Sequence, residues 1–157
     1  MAATELTLAL DRAGARYQLL PHAHTESALA EARAVGVRPD EVAKTIVITA
    51  PAGHVRAVIP AGERIDVGKL ADILGERRKQ FHMTTEAELR DDYPQFELGA
   101  VPPIGGPADL VVIDRRLAEA DALVFEAGTH DESVRLQTAE LIRVADARLA
   151  DICQDGR

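Results

Sequence analysis

The chain has 157 residues, 46% of them apolar and only 3% aromatic, with no tryptophan. That length fits one domain, expected over 1–157, and can bury a core without disulfide or metal staples. Its apolar runs are far shorter than a membrane helix. Eighteen Lys and Arg against 26 Asp and Glu leave a net charge of −8. This excludes a protein that coats DNA or RNA by neutralising phosphates, though a small basic patch can still grip one end of an RNA.

The opening residues, MAATELTLALDRAG, lack a basic start followed by an apolar stretch, so no signal peptide is expected. Cys153 is the single cysteine. It cannot form an internal disulfide, in keeping with a reducing cytoplasm, and is read as structural or inert. Without tryptophan the core must be Val, Ile, Leu and Ala.

Leu6, Leu8 and Leu10 predict a first helix that ends at Gly14. Arg16 to Leu20 reads as a short strand. Thr25 is the expected N-cap of a helix over Glu26 to Val35, stopped by Gly36. Thr45–Thr49 and Val55–Ile59 are β-branched runs separated by a Pro/Gly turn, which predicts a hairpin. Asp66 caps a helix through Leu70 and Leu74, closed by Gly75. The basic run Arg77, Arg78 and Lys79 reads as a solvated helix end or turn. Thr85 and Glu88 have capping-box spacing for a helix that ends before Pro94. After a loop over Gly99 to Pro107, Leu110–Ile113 and Leu123–Phe125 are expected as buried strands. Ser133–Gln137 then pairs back across the turn Gly128–Asp131, and Thr138 caps a C-terminal helix. With helices at front, middle and end and strands between, the fold class is α+β: a single domain with a mixed, mostly antiparallel curved sheet and flanking helices.

No HExxH, paired CxxC, G-x-S-x-G, P-loop or G-x-G-x-x-G motif occurs. No metal or cofactor is therefore expected. His22 and His24 share a face if extended. They can begin a metal site, but no third ligand is evident, and surface or hydrogen-bonded histidines are the favoured reading.

Three features can carry chemistry. Lys44, in Val42-Ala43-Lys44-Thr45, stands at the mouth of an apolar strand, where a low-dielectric wall strengthens a cation's hold on developing negative charge. The same residue can equally lay its stem on apolar surface with its head in water. The segment Leu98-Gly99-Ala100-Val101-Pro102-Pro103-Ile104-Gly105-Gly106 combines stiff prolines with permissive glycines. It can offer N–H groups to the oxyanion of a tetrahedral ester intermediate, or simply connect two elements. In Ala127-Gly128-Thr129-His130-Asp131-Glu132-Ser133, turn chemistry accounts for Gly128 and Asp131. His130 and Ser133 are left over, and spacing pairs neither with a base or nucleophile.

Taken in order, His22, Ala43-Lys44-Thr45, Val58-Ile59-Pro60, Gly99-x-x-x-Pro103 with Gly105, Asp114 and the Ala127-Gly128 turn resemble the YbaK-type aminoacyl-tRNA deacylases, the prolyl-tRNA-synthetase-associated editing domains. The likeness runs from about Tyr17 to the C-terminal helix. It implies a trans-editing hydrolase that cleaves the ester of a tRNA mischarged with a small amino acid such as Ala, Cys or Ser, with tRNA-Pro as one carrier. It also implies catalytic roles for Lys44, Gly99 and His130, and substrate contacts from His22, Thr45, Ala100, Val101, Pro102, Pro103, Gly128 and Ser133. The partners implied are the aminoacyl-tRNA acceptor end and an aminoacyl-tRNA synthetase, with neither membrane nor DNA. No oligomerisation stripe is seen, so a monomer is expected. The alternative is a non-catalytic module that holds a tRNA acceptor end or a synthetase.

Overall fold

A computed structural model describes residues 1–155. The first helix, α1 (Thr4–Arg12), buries Leu6 and Leu10 and leaves Leu8 exposed, as one-turn spacing requires. Gly14 follows it at φ +67°. Strand β1 (Tyr17–Pro21) leads to α2 (Ala28–Val35). The N-cap of α2 is Ser27, not Thr25: Ser27 Oγ accepts from Ala30 N, so the helix starts two residues later than Glu26. Thr25 instead ties its N–H to the His130 carbonyl at 3.0 Å.

β2 (Ala43–Ala50) and β3 (Gly53–Pro60) form the expected hairpin. α3 (Val67–Ile73) is capped by Asp66, whose carboxylate accepts from Lys69 N. β4 (His82–Met83) is a short strand the periodicity did not reveal. α4 (Glu86–Asp92) carries the Thr85/Glu88 capping box. Then come β5 (Leu110–Asp114), β6 (Ala122–Glu126), β7 (Glu132–Gln137), α5 (Thr138–Ala145) and β8 (Arg148–Ala150). Thr138 does not cap α5. It is the first helical residue, and its hydroxyl donates to the Ala120 carbonyl at 2.6 Å.

The strands divide into two sheets, an antiparallel β1-β7-β6 and a mixed β4-β2-β3-β5-β8. β3 and β5 run parallel, as do β5 and β8, and the other named pairs are antiparallel. The main core lies between the sheets, where Leu6, Leu10, Val58, Ile113, Leu123, Phe125, Val134, Leu136 and Leu141 meet. The opposite face of the larger sheet packs Ile48, Ala57, Ile59 and Val112 against Val67, Leu70 and Ala71 of α3. Cys153 is fully buried in this second cluster, bridged to Ile65, and burial pushes its thiol up to about 12. Asp114, one of the motif residues, is a structural tie: its carboxylate accepts from Ile152 N at 3.0 Å and Arg116 N at 3.1 Å. Among the described residues no helix is long and apolar enough to cross a membrane.

Candidate active site

A cavity of about 140 Å³ opens beside the N-terminal half of β2, next to the bridge by which Val42 joins Val124 of β6. Lys44 and Thr45 line it on one side, Gly99, Ala100, Val101 and Pro102 on another, and Glu31 and Glu126 lie among its remaining walls. The two sequence features 55 positions apart, the lysine strand and the glycine-proline loop, thus face one space.

The wall formed by β2 is a strand edge. Ala61 N donates to Val42 O at 2.9 Å, so Val42, Lys44 and Ile46 exchange their backbone bonds with β3. Ala43, Thr45 and Val47 present their backbone groups to the other edge. β4 covers that edge only at Ile48 and Thr49, and Val47 O accepts from Thr84 N. Among the described residues no strand pairs with Thr45 on that edge, and Thr45 borders the cavity. Lys44 is half-buried and donates from Nζ to the Ala61 carbonyl at 3.0 Å. Burial lowers its pKa, with Cys153, Arg64 and Glu63 as the charged neighbours that act on it, and among the described residues its ammonium makes no other hydrogen bond.

The opposite wall is the loop. Ala100 N is committed to the Glu97 carbonyl at 2.9 Å, whereas the N–H groups of Gly99 and Val101 donate to nothing among the described residues. The loop is held from behind by Arg56, a residue within the run Val55–Ile59 that was not singled out from the sequence. Its buried guanidinium donates to the carbonyls of Pro102, Gly105 and Pro107 at 2.9, 2.7 and 2.9 Å and to Asp109 at 2.9 Å. Tyr93 completes the cluster, donating to Asp109 at 2.6 Å. Pro103 lies on the far side of the loop, in an open groove of about 610 Å³ along α1, and not in the cavity.

His130 supports the loop from the third side. Its Nε2 donates to the Leu98 carbonyl at 2.7 Å, which fixes the proton on that nitrogen. Its Nδ1 lies 2.6 Å from Glu126 Oε2, at ion-pair distance but off hydrogen-bond alignment. Burial opposes charge on His130; the Leu98 carbonyl and Glu126 outweigh it, so its pKa lies above the usual histidine value. Burial also pushes Glu126 up to about 7. Gly128 does not reach the cavity. Its backbone sits at φ +84°, and a Cβ there would stand 2.6 Å from Ala3 Cβ and 2.8 Å from Phe96, so the position demands glycine for packing.

Ser133 and His22 form a second polar line. His22 N donates to the Asp131 carbonyl, which anchors the histidine to the late turn. His22 Nε2 lies 2.9 Å from Ser133 Oγ, and Ser133 Oγ is 2.5 Å from Glu31 Oε2. Ser133 is fully buried and does not border the cavity, so it is no nucleophile for a substrate bound there. His24 turns elsewhere, to Glu26 at 2.6 Å. Glu31 and Glu126 border the cavity and, like Arg56 behind the loop, were not among the candidates from the sequence. Glu31 sits in an alanine-rich helix with the look of a solvated face, and only the contact with Ser133, 102 positions away, marks it.

The aminoacyl-tRNA editing domain family matches residues 22–144. The multifunctional Ser/Thr-tRNA deacylase ProXp-y of Escherichia coli (strain K12) is 29% identical over 148 residues, 90% of this chain and 87% of that protein. A crystal structure of a candidate trans-editing enzyme for prolyl tRNA synthetase superposes with a TM-score of 0.85 at 25% identity, covering 98% of this chain and 97% of that one. The hypothetical protein APE2540 shares the fold, with a TM-score of 0.85 at 22% identity over 96% of this chain and 99% of its own. The chain therefore belongs to the aminoacyl-tRNA editing domain family, the deacylases that its ordered motifs resemble.

Proposed function

We propose that the chain, as one editing domain over 1–157, hydrolyses in trans the ester of tRNAs carrying a small, wrongly attached amino acid. The observation that supports this most is the meeting of the Lys44–Thr45 strand edge with the two uncommitted N–H groups of Gly99 and Val101. The terminal adenosine and its ester enter between them. Lys44 orients the ester, and the N–H groups of Gly99 and Val101 receive the oxyanion as the carbonyl becomes tetrahedral. His130 holds the loop through Leu98. The attacking oxygen is water.

A cavity of about 140 Å³ restricts the side chain to a small one. Serine and threonine stand first, because the E. coli relative is named for them, with alanine and cysteine beside them. One methylene in such a pocket is worth only about 1–3 kcal/mol, so selection rests on excluding larger side chains and on tRNA or synthetase context. The protein acts as a cytoplasmic monomer.

The test is a panel of tRNAs charged with Ala, Ser, Cys, Pro and Thr, incubated with the protein and with Lys44→Ala. Loss of one or two small aminoacyl esters with the wild type, and not with the variant, is the expected result. Binding of acceptor ends without any ester loss would replace the enzyme by a non-catalytic module.

A further inference from the structure

We infer that Glu31 is the proton acceptor for the attacking water, and that Ser133 and His22 connect it to solvent as a relay. The inference rests on the deacylase reading and names the base that reading leaves open.

Three observations carry it. First, Glu31 lines the cavity although the residue is only 1% exposed. Its Oε2 is held by Ser133, and its Oε1 makes no hydrogen bond among the described residues. A carboxylate oxygen without a hydrogen-bond partner, on an almost wholly buried residue that borders a space where an ester is to be cleaved, is placed to accept a proton. Second, the line continues outward without a gap, at 2.5 Å from Glu31 to Ser133 and 2.9 Å from Ser133 to His22. Third, His22 is half-buried, and its Nδ1 lies 2.7 Å from the Ala23 carbonyl. A carbonyl only accepts, so Nδ1 carries a proton and Nε2, facing Ser133, is the nitrogen that can gain or lose one. A hydroxyl both donates and accepts, which is what a relay needs between a carboxyl and an imidazole.

The step balances as follows. A water oxygen forms a bond to the ester carbon while its O–H bond breaks, the proton passes to Glu31 Oε1, and the carbonyl π pair moves to oxygen. The tetrahedral intermediate collapses by reforming C=O and breaking the C–O bond to the ribose. The ribose oxygen takes a proton back from the Glu31 carboxyl. The new carboxylic acid then ionises to Glu31, whose carboxyl turns to place that proton beside Ser133; Ser133 accepts it while its own hydroxyl proton passes to His22 Nε2, which releases it to solvent. Burial pushes Glu31 up to about 7, with Glu126 raising it further and Ser133 and His130 opposing. A base that titrates near the working pH is the efficient choice.

The experiment measures deacylation of a tRNA that the wild type clears. Glu31→Gln should lower kcat about a hundredfold or more with little change in KM, with its folding checked by circular dichroism. Glu31→Ala should regain part of the loss in added formate, which fills the missing carboxylate. His22→Ala, at a half-exposed site that tolerates truncation, should slow turnover about tenfold or more in weak buffer and recover in imidazole. Wild-type turnover in a folded Glu31→Gln overturns the inference. So does a His22→Ala rate that neither falls nor responds to imidazole, and this arm decides the matter if the Glu31 variants do not fold. If the wild type clears no ester at all, the deacylase reading fails instead.

Discussion

Arg56 Nη1 donates to the Pro102 carbonyl at 2.9 Å from a side chain that is 1% exposed. A cation inside the larger sheet thereby sets the loop that walls the cavity. Removing it leaves three carbonyls without their donor and Asp109 with Tyr93 alone. Arg56→Met should cost on the order of 3–5 kcal/mol, as expected when one partner of a buried ion pair is lost. Urea unfolding measures that loss. Arg56→Lys, a point charge without the planar fork, should recover only part of it.

Lys44→Ala tests the opposite wall. The lysine gives up one hydrogen bond to Ala61, worth about 1 kcal/mol of stability. Turnover should fall on the order of a hundredfold, the scale for losing one group that stabilises an oxyanion. Equal losses in stability and in rate would reduce Lys44 to a strand-edge residue.

The two glycines at φ +84° should separate packing from chemistry. Gly128→Ala collides with Ala3 and Phe96 and should cost about 1–3 kcal/mol from overpacking, with backbone strain added. Gly99→Ala places its Cβ 3.6 Å from His130, an ordinary contact. Its stability loss should be about 1 kcal/mol, with a larger fall in kcat as the loop N–H groups shift. Thermal unfolding beside single-turnover rates distinguishes the pair.

Glu31 and Glu126 give the fold a pH dependence of definite sign. Burial raises each from about 4.5 to about 7, so between those values the folded chain binds more protons than the unfolded one. Their contribution is fully present below about 4.5 and is lost as pH rises through about 7. Unfolding midpoints should decline over that interval. Glu31→Gln, neutral at every pH, should flatten the decline; an unchanged slope would place the titration elsewhere.

A chain with net charge −8 that docks one RNA end should show a shallow salt dependence, at about 0.7 in the log–log slope per phosphate contacted on a single strand. Filter binding between low and moderate salt measures it. A steep slope would point to an extended RNA surface.

Much of the fold was legible locally. The β-branched runs Thr45–Thr49 and Val55–Ile59 pair as a hairpin, and Asp66 and Thr85 cap the helices assigned to them. Where caps compete, local reading failed. Thr25 and Ser27 are both acceptable N-caps, and Ser27 is the one that caps, its Oγ accepting from Ala30 N, while Thr25 N donates to the His130 carbonyl two residues upstream of the cap. Thr138 was likewise drawn away from capping by Ala120. The short strands β4 and β8 are invisible to periodicity, since two or three residues make no pattern.

The same division runs through the site. The sequence by itself determined the α+β class, the ordered motifs that mark the editing family, and the residue types at Lys44 and in the Gly99 loop. Those depend on neighbours a few positions apart. Only the tertiary structure decided that β2 leaves an open edge at Thr45, that Arg56 pins the loop, and that Glu31 meets Ser133 and His22 across more than a hundred positions. The physical reason is burial: a carboxylate or guanidinium acquires its role from the partners and the dielectric that folding places around it, and neither is written in its sequence neighbours.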